Sequence, residues 1–164
     1  MNEEEKKLNL RASKNKLLTF FLGEEEYGVE ISTVREIIAM MKITPVPKTP
    51  QYVVGVINLR GTIIPVIDTR RRFEMDTVEY GEQTAIIIIE INKLSIGFVV
   101  DKVEEVLSID TENISEPPKF GTNINTDFIK NMARVKDDVV MVLDLEKLFE
   151  AEELSMFDSM SKIN

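Results

Sequence analysis

The amino-acid sequence predicts an all-β protein with a few short helices. Apolar runs separated by two to four turn residues occur four times along the chain, which is the pattern of a β-hairpin. Ile, Val and Thr dominate these runs, and their branched side chains suit a pleated sheet better than a helix. An internal duplication further indicates that the strands belong to two copies of one small unit.

Four hairpins account for most of the chain after its first 16 residues. Pro45, Pro47 and Pro50 predict an extended connector between the first two hairpins, because each proline removes an amide donor. Pro117 and Pro118 predict a second connector. The paired strands are predicted at 17–22 and 27–31, 53–59 and 62–68, 83–91 and 94–100, and 132–135 and 139–144.

Two regions carry a helical pattern. A short helix capped by Ser32 is predicted from the apolar residues Val34, Ile37 and Ile38. One or two closing helices are predicted near the end of the chain, with a C-terminal helix and tail over 150–164. They are predicted from apolar residues at helical spacing: Leu145, Leu148, Phe149, Leu154, Phe157 and Met160.

An internal duplication is the most informative feature of the sequence. Residues 27–38 align without gaps on residues 96–107, an offset of 69. Residues 57–73 align on residues 133–149, an offset of 76. Any two hairpins resemble each other to some degree, but two blocks in the same order favour a true repeat.

The repeat predicts two β-barrel subdomains, at about 17–82 and 83–150, inside a single domain that spans 17–160. Each copy holds about five strands in roughly 70 residues, a size that buries surface poorly on its own. The two copies are therefore expected to share a core or to exchange strands or helices. Closing each unit into a small barrel would remove exposed sheet edges.

The composition disfavours several classes of function. With 29 Asp and Glu residues against 20 Lys and Arg, the net charge is −9, which disfavours binding to nucleic acid or to anionic lipid. The chain has no cysteine and no histidine, so disulfides, thiolate nucleophiles, and the commonest metal ligand and general base are missing. We therefore expect a non-enzymatic protein without cofactor or metal.

The hydropathy of the chain predicts a soluble protein. No run approaches the ~20 apolar residues that cross a bilayer, so direct membrane insertion is not expected. The polar segment 1–16 lacks the apolar stretch of a signal peptide and is predicted to be a disordered tail.

Two alternatives to a binding protein remain open at this point. Asp68, Asp101 and Asp144 each follow an apolar strand, and two converging carboxylates could serve a hydrolase. The same aspartates could simply cap the turns that follow them. A small-ligand-binding sensory β-barrel is the other alternative, and it would require an enclosed apolar cavity inside one barrel.

The segment Gly55-Val56-Ile57-Asn58-Leu59-Arg60-Gly61 stands out among the hairpins. Gly61 supplies the positive φ that a tight turn needs. Arg60 and Glu36 are ordinary surface charges when taken one at a time. Together, as a pair at the edge of an apolar groove, they would fix the shape of that groove.

These residues resemble the CheW family of chemotaxis coupling proteins. The resemblance covers about 17–160, and the Asn-Leu-Arg-Gly block with its flanks is its strongest part. The other matching pieces follow in the family's order: Phe20-x-Leu22, 26–31, Val34-x-Glu36-Ile37, 43–50, 64–68, 97–103, Pro117-Pro118 and 143–148. Thr69, where a leucine is usual, and the stretch 39–41 depart from the family pattern and leave the choice of partner open.

The resemblance implies a CheW-like fold of two intertwined, five-stranded barrels of the SH3-like type. It also implies a chemotaxis adaptor that binds the regulatory domain of the histidine kinase CheA and the cytoplasmic tip of chemoreceptors. Such a protein would be cytoplasmic and recruited to membrane-associated receptor arrays, where it acts as a scaffold. The groove between the two barrels would face the receptor.

The resemblance also assigns site residues by position. Val34 and Gly55 match family positions that are sensitive for partner contact. The residues expected in the receptor-facing groove are Ile31, Glu36, Arg60, Gly97 and Val99.

Overall fold

The structure, a computed structural model, describes residues 16–117 and 126–162. The predicted tail at 1–16, apart from Lys16, and Pro118 of the second proline connector lie outside the described residues. Within those ranges the strands are β1 (Lys16–Leu22), β2 (Glu25–Glu30), β3 (Val34–Ala39), β4 (Val53–Leu59), β5 (Thr62–Asp68), β6 (Ala85–Ile91), β7 (Leu94–Val100), β8 (Lys102–Ser108), β9 (Ile114–Ser115), β10 (Ile129–Val135) and β11 (Asp138–Leu143). The α-helices are α1 (Thr69–Arg72) and α2 (Ala151–Ser161).

The strands form two sheets. One sheet has the order β8-β1-β2-β11-β10-β9, and the other has the order β3-β6-β7-β5-β4. All four predicted hairpins are present as the antiparallel pairs β1–β2, β4–β5, β6–β7 and β10–β11. The pairs β2–β11 and β5–β7 are parallel. The predicted all-β class is confirmed.

The order of the strands shows how the two copies of the repeat are interwoven. The duplication aligns β2 and β3 on β7 and β8, and β4 and β5 on β10 and β11. However, β3 pairs with β6 of the second copy, and β8 pairs with β1 of the first copy. Each sheet therefore takes two strands from one copy and the rest from the other. The division at about 17–82 and 83–150 stays a prediction about sequence copies, because each sheet contains strands from both sides of it.

Each sheet is closed by the segment that follows its outer strand. After β3, Thr44 pairs with Val56 of β4 through two hydrogen bonds of 2.8 and 2.9 Å between backbone nitrogen and oxygen. After β8, the short strand β9 pairs with β10 in the same way, with Ser115 opposite Met132. We call β1, β2 and β8–β11 the first barrel, and β3–β7 the second barrel.

Contacts at the centre of the molecule repeat the duplication in three dimensions. The Asp68 amide donates to the Tyr52 carbonyl over 2.8 Å, and the Asp144 amide donates to the Phe128 carbonyl over 2.7 Å. Asp144 lies 76 residues after Asp68, and Phe128 lies 76 residues after Tyr52. This is the offset of the second aligned block. The sequence repeat is therefore also a structural repeat.

Three apolar clusters stabilise the fold. One fills the second barrel (Ile57, Ile64, Val66, Ile86, Ile88, Val99), a smaller one fills the first barrel (Leu17, Ile109, Ala133, Val140, Val142), and the largest lies between the barrels and includes Leu18, Phe20, Tyr27, Ile87, Ile89, Phe98, Phe149 and Phe157. Strand β6 is buried on both faces, with Ile86 and Ile88 inside the barrel and Ile87 and Ile89 outside it. This explains its unbroken apolar run.

The helix predicted after Ser32 is wrong. Residues Ile31–Thr33 form a single 3₁₀ turn, and Val34, Ile37 and Ile38 belong to strand β3. A β-bulge between Val34 and Glu36 shifts the register. Val34 packs on the cluster between the barrels and Ile38 on the cluster inside the second barrel, whereas Ile37 is exposed. Because the bulge adds one residue to the strand, the apolar residues of β3 occur at a spacing that is also typical of a helix.

One closing helix is present. Helix α2 packs on β5 and β7 and buries Phe157 and Met160, as its apolar spacing predicted. The earlier part of the pattern, at Leu145, Leu148 and Phe149, forms turns rather than a second helix. The one-turn helix α1 was not predicted.

Candidate functional site

Arg60 and Glu36 form a two-pronged ion pair on the surface of the second barrel. The Arg60 Nη1 donates to Glu36 Oε1 over 3.1 Å, and Nη2 donates to Oε2 over 2.5 Å. Glu36 lies on β3 and Arg60 lies in the turn between β4 and β5, so the pair joins the two outer strands of one sheet. The pair therefore bridges the seam along which the second barrel closes.

The turn that carries Arg60 fixes its direction. Arg60 and Gly61 are the two central residues between the paired positions Leu59 and Thr62, and their φ angles are +52° and +90°. Positive φ at both positions is the geometry of a type I′ hairpin turn. The Gly61 amide also donates to Asn58 Oδ1 over 2.8 Å. The Asn-Leu-Arg-Gly block is thus a turn motif that presents one arginine.

The electrostatics of the pair favour a role in recognition over one in stability. The hydrogen bonds from Arg60 lower the pKa of Glu36, and those to Glu36 raise the pKa of Arg60. The side chains are 69% and 35% exposed, so water screens their attraction. A fixed, exposed and bidentate pair contributes more to shape and charge at a binding surface than to folding.

Gly55 is buried where the second barrel closes. A Cβ on Gly55 would lie 2.1 Å from the carbonyl oxygen of Thr44, and the φ angle of Gly55 is +151°. Only glycine allows the two backbones to approach this closely. The role of Gly55 in partner contact stays a prediction, and a side chain at this position would disturb closure of the barrel.

Gly97 and Val99 are buried in strand β7, not exposed on a groove. Val99 belongs to the cluster inside the second barrel. A Cβ on Gly97 would lie 2.9 Å from Cγ2 of Ile86 and 3.2 Å from Cγ2 of Val66. Their importance for the receptor stays a prediction, and any effect of changing them would act through packing of the barrel wall.

Ile31 and Val34 lie at the surface end of the cluster between the barrels. Both are half-buried and pack against that cluster. Ile37, three residues after Val34 in the same strand, is 44% exposed. These three apolar side chains lie on the strand and turn that also carry Glu36.

A cleft of about 210 Å³ opens beside this apolar strip. Lys130 Nζ on its wall pairs with Glu30 Oε1 over 2.7 Å. Hydrogen bonding to Glu30 raises the pKa of Lys130, and Asp144 and Glu146 act in the same direction. The cleft lies at the crossing from β2 to β3, where the chain passes from the first barrel to the second.

The three aspartates that left a hydrolase as an alternative function each stabilise the local structure. Asp68 is buried, accepts from the hydroxyl of Tyr80 over 2.7 Å and caps helix α1. Asp101 accepts from Arg70, and Asp144 accepts from the Glu146 amide over 3.2 Å. Throughout 16–117 and 126–162, no group of three or more acidic side chains is placed to hold a metal.

The interior of the first barrel holds a cavity of about 30 Å³, lined by residues that include Leu17, Ile114 and Asn131. Sites for small molecules usually have volumes of about 300–1,000 Å³. The cavity is too small for the ligand of a small-molecule sensor. In the described ranges of the chain, no helix is long and apolar enough to cross a membrane.

Sequence reasoning missed the ion pair between Arg70 and Asp101. The run Arg70-Arg71-Arg72 was visible, but nothing in the sequence indicated its partners. Arg70 pairs with Asp101, and Arg72 lies over the rings of Phe128 and Tyr52. No local pattern predicts such contacts, because the partners come from distant parts of the chain.

Comparison with known proteins settles the family. The CheW-like domain family matches residues 16–153. The chain belongs to the CheW family. Its relatives include the chemotaxis protein CheW of Klebsiella aerogenes, 37% identical over 145 residues that cover 88% of this chain and 87% of that protein. The chemotaxis protein CheW of Treponema pallidum is 35% identical over 142 residues and covers 84% of each chain.

A solved CheW structure has the same fold. The scaffolding protein TtCheW from Thermoanaerobacter tengcongensis superposes with a TM-score of 0.78 at 40% identity, over 84% of this chain and 93% of that one. The CheW-like fold and the class of function, a chemotaxis adaptor, are therefore confirmed. The CheW family is a family of non-enzymatic adaptors.

Proposed function

We propose that this chain couples chemoreceptors to the histidine kinase CheA by binding the cytoplasmic tip of the receptors and the regulatory domain of the kinase. The observation that carries the proposal is the exposed, bidentate Arg60–Glu36 pair beside the apolar strip of Ile31, Val34 and Ile37. An ion pair that adds little stability, held in one geometry by a tight turn, fits a recognition role.

The receptor side of the proposal rests on the shape of the site. A receptor tip is expected to present helices, and an amphipathic helix binds through apolar residues at i, i+3 and i+4. The apolar strip would receive that face, and the Arg60–Glu36 pair would contact polar residues along its edge. Gly97 and Val99 would act on the site indirectly, through the packing of the second barrel in which they are buried.

The kinase side of the proposal rests on likeness between partners. The regulatory domain of CheA is expected to share the two-barrel plan. The end of a barrel in this chain could therefore pack against the end of a barrel in the kinase domain. On the first barrel, Val106 and Val139 are large apolar side chains that are about half exposed. Val34 and Gly55 would affect such contacts through the shape of the second barrel.

The proposed mechanism is geometric and breaks no covalent bond. One rigid body holds two partners at a fixed distance, so a change in receptor conformation reaches the kinase through packed contacts. Each contact can be weak, because many copies in one array raise the effective concentration. The chain would work in the cytoplasm and be recruited to membrane-associated receptor arrays.

The test compares two turns that the repeat makes equivalent. Arg60→Ala removes the pair in the second barrel, and Lys136→Ala changes the matching turn of the first barrel as a control. Both turns have positive φ at this position. In an array reconstituted from receptor, kinase and adaptor, we expect Arg60→Ala to abolish most kinase activation and Lys136→Ala to leave it near wild type.

Two outcomes would contradict the proposal. Unchanged kinase activation by folded Arg60→Ala would remove the pair from the receptor site. Failure of the wild-type chain to bring receptor fragment and kinase regulatory domain into one complex in a pull-down would remove the adaptor function itself. Circular dichroism of each variant establishes that the fold is intact.

A further inference from the structure

Asp101 lies where the chain crosses from one barrel to the other. It follows β7, which belongs to the second barrel, and precedes β8, which belongs to the first. Its carboxylate accepts three hydrogen bonds from the guanidinium of Arg70: Nε donates to Oδ1 over 2.9 Å and to Oδ2 over 3.1 Å, and Nη2 donates to Oδ2 over 2.6 Å. Arg70 sits in α1, directly after β5 of the second barrel.

The same carboxylate also binds the first barrel. The Gly23 amide, in the turn between β1 and β2, donates to Asp101 Oδ2 over 2.7 Å. The Asp101 amide in turn donates to the Phe21 carbonyl over 3.2 Å. One acidic side chain therefore joins elements of both barrels. We call Arg70, Asp101 and Gly23 the clasp.

The clasp is better shielded from water than the ion pair of Arg35 and Glu90 in the second barrel. Arg70 and Asp101 side chains are 13% and 25% exposed, against 52% and 38% for the pair of Arg35 and Glu90. Burial alone would raise the pKa of Asp101, but hydrogen bonds from Arg70 and the Gly23 amide outweigh it and lower that pKa. A shielded, bidentate pair holds geometry more firmly than an exposed one.

The repeat supplies a second crossing without a clasp. At the crossing from β2 to β3, the position that matches Asp101 is Ser32, and the position that matches Arg70 is Glu146. Neither can form the same pair. That crossing is held by the more exposed pair of Glu30 and Lys130, and it carries the apolar strip.

The two crossings therefore differ in how firmly they are held. We propose that the clasp sets the angle between the two barrels, and through it the width of the receptor-facing groove at the opposite crossing. The effect on the groove rests on the proposed function, whereas the effect on the barrel angle does not. Arg70 and Asp101 are positioning residues that need not touch the receptor.

The test measures the angle and the binding separately. Asp101→Asn removes the charge and keeps an oxygen that can accept from Gly23. Because the chain contains no cysteine, Thr62→Cys and Asp138→Cys place one spin label on each barrel at exposed, repeat-equivalent positions. Pulsed electron spin resonance of the full chain then reports the distance distribution between the barrels, with Glu90→Gln as the matched control for loss of an ion pair inside one barrel.

We expect Asp101→Asn to shift or broaden the distance distribution and to weaken binding of a receptor-tip fragment about five- to tenfold, the usual size of a coupling between sites. Binding to the kinase regulatory domain, which does not use the groove, should change much less. Asp101→Glu keeps a carboxylate within reach of Arg70 and should restore most of both readouts. Glu90→Gln should leave both readouts at wild-type values.

The outcomes separate the clasp from the adaptor function. A wild-type distance distribution in folded Asp101→Asn overturns the inference, whatever happens to receptor binding. If Asp101→Asn changes the distance distribution but binds the receptor fragment with wild-type affinity, the link between the barrel angle and the width of the groove is overturned. A wild-type chain that never binds the receptor fragment overturns the proposed function, while the distance measurement still decides whether the clasp sets the angle.

Discussion

The two barrels share one plan and differ at their seams. In the second barrel, Gly55 allows Thr44 to approach within backbone contact, and Arg60 and Glu36 bridge the same seam. In the first barrel, Asn131 takes the place of Gly55 after an equivalent β-bulge. The cavity of about 30 Å³ lies beside it. One seam is closed by a backbone contact that only glycine allows, and the other has a cavity beside it.

The charges at the two seams show the same contrast. The repeat places Lys136 at the position of Arg60 and Glu105 at the position of Glu36. Among the ion pairs of the described residues, none joins Lys136 to Glu105. A duplicated unit thus kept its charges in both copies but fixed their geometry in only one. Under the proposed function, recognition of the receptor would therefore depend on the second barrel.

The largest expected effect is a loss of stability on changing Gly55, and it tests the contrast between the two seams. Gly55→Ala should destabilise the protein by about 3 kcal/mol or more, because the new methyl group meets a backbone carbonyl and the φ angle is unfavourable. Asn131→Ala, at the equivalent position, should cost less than about 1.5 kcal/mol. Urea unfolding followed by circular dichroism measures both. Equal losses would show that the two seams are equally tight.

A second pair of variants should give similar losses and so define where the barrels are alike. Gly97→Ala and Gly28→Ala add a methyl group at equivalent strand positions, 2.9 Å from Ile86 and 3.1 Å from Val140. Each should cost about 1–3 kcal/mol, with Gly97→Ala the larger. A loss confined to one variant, measured by the same unfolding experiment, would contradict the equivalence of the barrel interiors.

The smallest expected effect concerns the charge of the first barrel. Glu26 occupies the place of Ser95 in the second barrel. Burial raises the pKa of Glu26, and Glu104, Asp138 and Glu105 raise it further, although a hydrogen bond with Thr19 lowers it. A carboxyl with a raised pKa destabilises the fold when it is ionised, and this cost disappears as the pH falls through its folded pKa.

Glu26→Gln should therefore stabilise the protein slightly at pH 7 and have no stabilising effect well below pH 4. Thermal unfolding at several pH values measures this difference. Glu90→Gln, an exposed change in the second barrel, is the control and should show no such gain. A stabilisation by Glu26→Gln that is independent of pH would contradict an electrostatic cause.

Much of the fold could be predicted from the sequence because hairpins are local. The strand pairs 53–59 with 62–68 were predicted with the observed bounds, since the turn at Arg60 and Gly61 fixes the register. Strand β8 was missed. Its segment, Lys102–Ser108, is mostly exposed and its partner β1 comes from the other copy, so no local apolar pattern marks it.

The candidate site was predictable only in part. The family resemblance pointed to Glu36 and Arg60, and a pairing across 24 residues is plausible once two strands of one barrel are known. The burial of Gly97 and Val99 could not be predicted, because it depends on which face of β7 turns inward. The clasp was also out of reach, because 31 residues separate Arg70 from Asp101 and no local pattern links them.

The exchange of strands has a consequence for synthesis on the ribosome. The first barrel needs β1 from the beginning of the chain and β11 from near its end, and Leu17 finds its partner Leu107 only after most of the chain has been made. The second barrel has all its strands once β7 has been made, but the first barrel cannot form until β11 has been translated. A nascent or truncated chain that lacks β11 therefore exposes unpaired strands of the first barrel to chaperones and proteases.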